Sequence, residues 1–383
     1  MTHNHNLVVM TAFGNDLDAL VNDEYMPLLI QRLRNGATLA KHIKLDTEDA
    51  AFEKGETLRV VKPATVDEAR EHGEASVATD MVVEKVDVTL DHHLYVEVKV
   101  TDREIAKTRP GALPSALEAA ADKLAEAFNS KVYQCAKAVS GYSGVLDSQN
   151  ERGKKSLILA KKALNVKKVN PDRVMIVSPE TESDYLTTFT SGNDQKAEVE
   201  GHVGRRMGFD IYSDNQCEDH IAGTASLDDS IVTAIDVTTG STVIVLSGAT
   251  DGATLVVGDI ITIGKESYSV SESVTFTGGT AAVTLFDTIR ADVQAGAQVA
   301  VSGDHRGDIA FTQDAFLGVF RKLVPPLNAL GVTIGEITDP VLGIPMRMLS
   351  WYNPSTESTH VKLEILFGVK AICPERAIRV GGH

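Results

Sequence analysis

The sequence predicts a mixed α+β chain interrupted by an all-β block, and three observations carry that prediction. Residues 224–304 contain no Pro, Cys, Met, His, Trp or Asn and are built mainly from Val, Ile, Thr, Ser, Ala and Gly. Leu117, Ala121, Leu124, Phe128, Val132 and Cys135 recur at spacings of three and four, which predicts one long amphipathic helix over residues 113–140. Val86, Val88 and Leu90, then Leu94, Val96, Val98 and Val100, alternate with polar residues at period two, the pattern of half-buried antiparallel strands. Short strand-like runs at 209–212 and 308–311 bracket the β block, so it reads as an insertion and its flanks as one continuous unit.

The elements follow in order. Leu17, Leu20, Val21, Leu28 and Leu29 fall at helical spacing behind a cap at Asn15 or Asp16, and Pro27 is expected to break or kink that helix. No partner face lies within this arm, so it must pack on something else. A turn at Gly55 leads into a strand that Pro63 ends, and the polar stretch 65–78 reads as the mobile tip of a long β-excursion. Asp91-His92-His93 reads as the turn joining the two alternating strands. The long helix opens with Pro114 in its first turn and stops at Gly141. A helix is then expected at 156–164, a buried strand at 172–178, a helix with Pro179 in its first turn at 179–189, and a strand at 209–212. Behind the block come a short apolar stretch at 314–320, a break at Pro325-Pro326, strands at 344–352 and 359–367 joined by the turn Asn353-Pro354-Ser355, and an extended end at 371–380. Inside the block, strands at 231–237, 242–246, 260–263, 267–270, 274–277, 282–286 and 298–302 are punctuated by glycines, as in a small barrel or sandwich.

At 383 residues the chain should hold two or three compact units, and with aromatics at 5% their cores must be mainly aliphatic. No apolar run approaches the ~20 residues a membrane-spanning helix needs. The start of the chain lacks the basic and apolar stretches of a signal peptide. Cys135, Cys217 and Cys373 are too few and too scattered for a disulfide framework, which fits a soluble, cytosol-made protein. A net charge of −16 argues against a nucleic-acid reader. Half of that charge sits in the block, where ten acids face Lys265 and Arg290. The pairs Lys154-Lys155, Lys161-Lys162 and Lys167-Lys168 carry no interleaved aromatics for base stacking and read as a solvated helix face.

Catalytic constellations are not found. Asp91-His92-His93 resembles a metal-binding run but lacks further ligands at suitable spacing. Gly264-Lys265-Glu266-Ser267 resembles the end of a phosphate loop, yet it lies in a β pattern instead of opening a helix. Cys135 falls on the helix's apolar stripe, Cys217 sits among acids that disfavour a thiolate, and Cys373 precedes Pro374. The expectation is therefore no catalytic residue, no cofactor and no metal.

Outside the block, the sequence resembles the major capsid protein of tailed bacteriophages, in particular the group similar to phage P22 coat protein. The resemblance is carried by Phe52-Glu-Lys-Gly-Glu-Thr-Leu-Arg-Val-Val-Lys-Pro63, Val88-Thr-Leu-Asp-His-His-Leu-Tyr-Val-Glu-Val98, Val203-Gly-Arg-Arg-Met-Gly-Phe-Asp-Ile-Tyr212, Ile309-Ala-Phe-Thr-Gln-Asp-Ala-Phe316, Leu323-Val-Pro-Pro-Leu327 and Phe367-Gly-Val-Lys-Ala-Ile-Cys-Pro-Glu-Arg-Ala-Ile-Arg379. Their order and spacing, more than any single segment, make the set specific.

The resemblance implies the HK97-like capsid fold. Its parts here would be an N-terminal arm at 1–50, an extended loop (E-loop) and the start of a peripheral domain at 51–105, a spine helix at 106–150, and the first part of an axial domain at 151–223. The β block at 224–304 and the rest of the axial domain with return strands at 305–383 complete it. It further implies pentamers and hexamers of an icosahedral virion shell, assembled in the host bacterial cytoplasm around packaged double-stranded DNA without sequence-specific contact. Because no large N-terminal helical extension precedes the arm, a separate scaffolding protein is expected beside a portal. Candidate inter-subunit contacts are Asp67, Glu68, Arg70, Glu71 and Glu74 at the loop tip, with Arg205 and Arg206. The acidic block is expected either to contact neighbours or to act as a solubilising decoration. The rival readings are an encapsulin-type compartment shell and a β-rich binding or adhesion protein.

Overall fold

The computed structural model describes residues 26–47, 57–62, 85–107, 112–143, 154–169, 172–190, 203–324 and 331–381, which fall into two compact units. The first takes in Met1–Lys41, Leu45–Phe128 and Leu317–Ile372, and the second His42–Lys44, Asn129–Phe316 and Cys373–His383.

The first unit is built on a six-stranded sheet. Five strands lie in the order Lys44–Asp46, Phe316–Arg321, Ser358–Ala371, Pro345–Asn353, Val332–Thr338, and His92–Thr101 also pairs with Ser358–Ala371. The strand Val332–Thr338 is absent from the sequence-based expectation, although its β-branched Val332, Thr333, Ile334, Ile337 and Thr338 favour a strand. Phe128, Phe320 and Phe367 meet at ring-centroid separations of 5.1–5.6 Å and centre the core. The helix Met26–Gly36 buries Met26, Leu29, Ile30 and Leu33 and leaves Leu28 exposed. Pro27 lies in its first turn, where the missing N–H has no helical partner to lose, and the expected helical positions Leu17, Leu20 and Val21 lie outside the described residues. Gly36 lets the helix approach Ala112–Ala136 closely: a Cβ there would fall 2.8 Å from the Ala125 Cβ.

The expected hairpin through Asp91-His92-His93 does not form. Lys85–Thr89 pairs with Thr57–Val61 in a separate two-stranded ribbon, while His92–Thr101 crosses to Ser358–Ala371. The crossing depends on close backbone approach, since a Cβ on Gly368 would lie 2.0 Å from the Thr89 carbonyl oxygen. Alternation gave the right faces; it carries no information about which strand is the partner.

The long helix Ala112–Ala136 buries Leu117, Ala121, Leu124, Phe128 and Val132, with Cys135 half-buried. It ends four residues earlier than expected, in tight turns through Val139.

In the second unit a five-stranded sheet runs Ala377–Arg379, Ile309–Phe311, Arg173–Val177, Phe209–Ser213, Arg205–Arg206. Arg173–Val177 and Phe209–Ser213 are parallel, joined by a connection that contains the helix Pro179–Thr190. That helix and Lys154–Val166 share one core with the sheet, formed by Leu157, Leu164, Met175, Tyr185, Phe209 and Ile378 among others.

Residues 224–304 close a core of their own. Three small sheets, with Val243–Ser247, Ile260–Ile263 and Thr254–Leu255 as members, surround Ile244, Leu246, Ile261, Tyr268, Phe276, Val283 and Val299. The strands are shorter than their apolar runs because the turns between them are fixed by side chains. Asp236 accepts the Ala295 N–H at 2.7 Å, Asp251 the Gly278 N–H at 2.7 Å, Asp228 the Thr250 N–H at 2.9 Å and Asp292 the Thr239 N–H at 2.8 Å. Asp304 accepts the Ala222 N–H at 2.7 Å, while Glu266 and Asp287 hold Arg290 at 2.7 and 3.1 Å. With the buried Asp259, eight of the ten acids act as internal fasteners. The acidity of this block is therefore more than a solubilising coat: it is how a chain with short strands fixes its turns.

Candidate functional site

The sequence-predicted positions divide sharply. Asp67, Glu68, Arg70, Glu71 and Glu74 lie outside the described residues. Arg205 and Arg206 form a two-residue edge strand against Phe209–Ser213. Arg205 is exposed with its Nε 3.6 Å from Asp210, while the Arg206 guanidinium folds over the Phe189 ring at 5.4 Å. Only Arg205 presents its charge to the surface. Lys154, Lys155, Lys161, Lys162 and Lys168 are exposed, as expected for a solvated face, but Lys167 departs from it: the side chain is half-buried, and burial pushes its ammonium pKa down.

The tempting motifs resolve into structure. His93 Nε2 stands 3.0 Å from Glu364, and the His92 ring packs at 5.4 Å on Phe367. Gly264-Lys265-Glu266-Ser267 is the turn between the antiparallel strands Ile260–Ile263 and Glu266–Ser269, so no helix N-terminus is there to receive a phosphate. Among the described residues no group of three or more His, Cys, Asp or Glu is placed to hold a metal. No helix among them is long and apolar enough to cross a membrane.

Among the described residues, three buried polar hubs gather charged side chains in the interior, and the sequence gives no sign of any of them as a group. The first closes the neck of the 224–304 block. His220 and His305 exchange backbone hydrogen bonds of 2.8 and 3.1 Å, so the chain enters and leaves side by side. The His220 imidazole donates to Asp259 at 2.8 Å, and Asp259 also accepts the N–H groups of Val256 at 2.7 Å and Gly223 at 3.2 Å. Arg379 donates to the Gly258 carbonyl at 2.6 Å and to His305 Nε2 at 2.7 Å, while His305 Nδ1–H donates to the Gly303 carbonyl at 3.0 Å. This arrangement requires a neutral His305 protonated at Nδ1. Burial, then the neighbouring Arg379 charge, push its pKa down to about 4.

The second hub is Asp308, fully buried. It accepts the Ser178 N–H at 2.6 Å and the Thr181 hydroxyl at 2.5 Å, and burial pushes its pKa up to about 6. Arg306 donates to the same Thr181 hydroxyl at 3.0 Å and to Asp184 at 2.9 Å. Burial and then the charge of Asp308 push the Cys217 thiol well above its ordinary range, which disfavours the thiolate.

The third hub is Glu364, in the first unit. Its carboxylate is inaccessible to solvent and meets Arg347 at 2.6 Å, Lys362 at 2.9 Å and His93 at 3.0 Å. Burial works against its charge, but these hydrogen bonds outweigh it and hold the pKa below the usual carboxylate range. In all three hubs the central carboxylate or imidazole is met by partners from the chain itself. Their chemistry is fastening.

No family model matches the sequence, and no curated protein matches it. Solved structures do. The capsid of the cyanophage P-SCSP1u superposes with a TM-score of 0.50 at 11% identity, covering 89% of this chain and 86% of that one. A chain from Mycobacterium phage Che8 superposes with a TM-score of 0.48 at 13% identity, covering 90% and 89%. The cyanophage match extends over nearly the whole length of both chains, and the fold of this chain is the HK97-like capsid fold.

Proposed function

We propose that this chain is the major capsid protein of a tailed bacteriophage, in the group similar to P22 coat protein, and that its copies tile into an icosahedral shell around packaged double-stranded DNA. The observation that carries the reading is the capsid fold over 89% of the chain. A shell subunit needs rigid bodies and exposed edges, and the two units supply rigid bodies. Repeated weak contacts then give a container that corrects errors during assembly and is stable once closed.

Within this reading the N-terminal arm, E-loop, spine helix and axial domain keep the boundaries expected from the sequence, and residues 224–304 are an inserted domain. The paired backbone bonds of His220 and His305 support the insertion, because an excursion that starts and ends at one two-residue bridge interrupts its host least. Scaffolding protein and portal would act as separate chains. The loop-tip charges Asp67, Glu68, Arg70, Glu71 and Glu74, with Arg205, would contribute inter-subunit pairs, each worth ~0–1 kcal/mol alone.

Negative-stain microscopy of the purified chain, with and without co-expressed scaffolding protein, tests the reading. Closed particles tens of nanometres across are expected. A lone monomer under both conditions would refute it. Particles loaded with protein cargo and free of DNA in infected cells would point to a compartment shell instead.

A further inference from the structure

The strand His92–Thr101 is ten residues long and pairs on one side with Ser358–Ala371; among the described residues no strand pairs with its other side. Which backbone groups face that open side follows from the ladder. Asp102 N–H donates to the Glu357 carbonyl at 3.0 Å in the same register that sets Thr101 opposite Ser358. Bonded and non-bonded pairs alternate along an antiparallel ladder, so Val100, Val98, Val96 and Leu94 bond inward. His93, Tyr95, Glu97, Lys99 and Thr101 therefore turn their N–H and C=O groups outward. Thr101 confirms the parity: its N–H is met by the Glu104 carboxylate at 2.9 Å, with no strand beyond it.

An open edge of this length, free of Pro and Gly, is a template for another strand. Its side chains select the occupant. For the same edge from a second copy, each symmetric antiparallel register is named by the residue on the two-fold axis. An axis at Glu97 sets carboxylate against carboxylate. An axis at Val96 sets Lys99 against His93 and leaves Glu97 opposite Tyr95. An axis at Tyr95 sets Glu97 against His93 but Lys99 against Asp91, beyond the strand's end, so Lys99 finds no partner on the strand. An axis at Val98 sets Glu97 opposite Lys99 twice, with Val96 opposite Val100 on the other face. Directly opposed unlike charges stabilise a strand pair and like charges destabilise it.

We propose that the outer edge of His92–Thr101 pairs antiparallel with the same edge of a second copy, with Val98 on the two-fold axis and Glu97 opposite Lys99 on both sides. Glu97 and Lys99 are exposed and belong to one face; Glu97 holds His360 of its own chain through Oε1 at 2.6 Å, so Lys99 would be met by the other carboxylate oxygen, and each Glu97–Lys99 pair would exchange two backbone hydrogen bonds. The contact is isologous, so it closes at two copies and cannot propagate into a fibre. As a link between shell subunits it rests on the shell reading for its purpose, though not for its geometry.

A cysteine scan on the full-length chain tests it. Val98 on the axis would face its own copy as a non-bonded pair, with Cα atoms about 4.5 Å apart, within disulfide range. Under mild oxidation Val98→Cys is expected to yield a covalent dimer whose link maps to position 98 in both chains. Val96→Cys, Val100→Cys and the parent chain, with its Cys135, Cys217 and Cys373, should not. In the Val98→Cys background, Glu97→Lys and Lys99→Glu should each abolish the dimer, and the two together should restore it. Absence of the 98–98 link, equal linking at Val96→Cys or Tyr95→Cys, or a double charge swap that fails to restore would overturn the proposal. Particles that form without the link would overturn the edge contact alone; a linked dimer that never forms particles would overturn the shell reading alone.

Discussion

In the 224–304 block a carboxylate meets the backbone of a turn; in the six-stranded sheet a carboxylate meets cations delivered by other strands. Asp236, Asp251 and Asp292 each secure one N–H on the block's surface. Glu364 instead gathers Arg347 from the neighbouring strand, His93 from the strand on its other side, and Lys362 two residues before it, with no solvent to share the load. The contrast separates two ways of using charge. Many cheap, independent locks suit a small β body whose short strands would otherwise slip. One deep hub ties together strands that come from opposite ends of the sequence.

The hub should therefore be the more fragile. Glu364→Ala leaves Arg347 and Lys362 facing an apolar gap, and removing one partner of a buried ion pair costs about 3–5 kcal/mol. Urea unfolding of the assembly-incompetent monomer should show that loss, or the variant should fail to fold. A change below about 1 kcal/mol, the range of exposed pairs, would mean the hub is screened like a surface site.

Acid should pull the two histidine- and aspartate-based fasteners of the second unit in opposite directions. His305 has a folded pKa of about 4, below its ordinary value, so its contribution is present at neutral pH and is lost as pH falls from about 6.5 through 4. Asp308 has a folded pKa of about 6, above its ordinary value, so its contribution is full below about 4 and is lost as pH rises through 6. Either shift corresponds to about 3 kcal/mol at its limit. Hydrogen exchange at pH 6 and pH 4.5, corrected for intrinsic rates, should show amides around His220 and His305 losing protection while those of Arg173–Val177 hold or gain. Asp308→Asn, which keeps an acceptor without the charge, should remove the second trend and leave the first. Parallel loss in both places would defeat this account.

What was readable in the sequence follows the same division. In the 224–304 block local alternation and glycine spacing mark seven strands, and only the two-residue Thr254–Leu255 escapes, because both signals sit within a strand and its turns whichever strand is the partner. The faces of the strands at Val86–Leu90 and Leu94–Val100 were equally legible, since Val88 and Leu90 are buried and Asp87, Tyr95, Glu97 and Lys99 are exposed. Their partners were not. Nothing in Asp91-His92-His93 says that the chain leaves one sheet for another, because pairing with Ser358–Ala371 is decided some 270 residues later. The buried hubs were invisible for the same reason. Glu364 follows Lys362 in an alternating run that looks like an exposed face, and only the fold brings Arg347 and His93 over it.

The smallest effect tests whether the block's acids matter as charges or as acceptors. Asp236 and Asp251 sit in exposed turns and each accepts one backbone N–H at 2.7 Å. A turn lock of this kind is a hydrogen bond with solvent close by, so Asp236→Ala or Asp251→Ala should cost about 0.5–1.5 kcal/mol. Asn keeps the acceptor and removes the charge, so Asp236→Asn and Asp251→Asn should stay within about 0.5 kcal/mol of the parent. The measurement is the urea midpoint at unchanged slope, which isolates stability from compactness. If Asn costs as much as Ala, the negative charge is itself what the turns require, and the block's acidity must be explained by something beyond its own backbone. If Asn is neutral and Ala is not, the charge is a by-product of choosing Asp at turns, and the surface of the block is free to change sign without losing its fold.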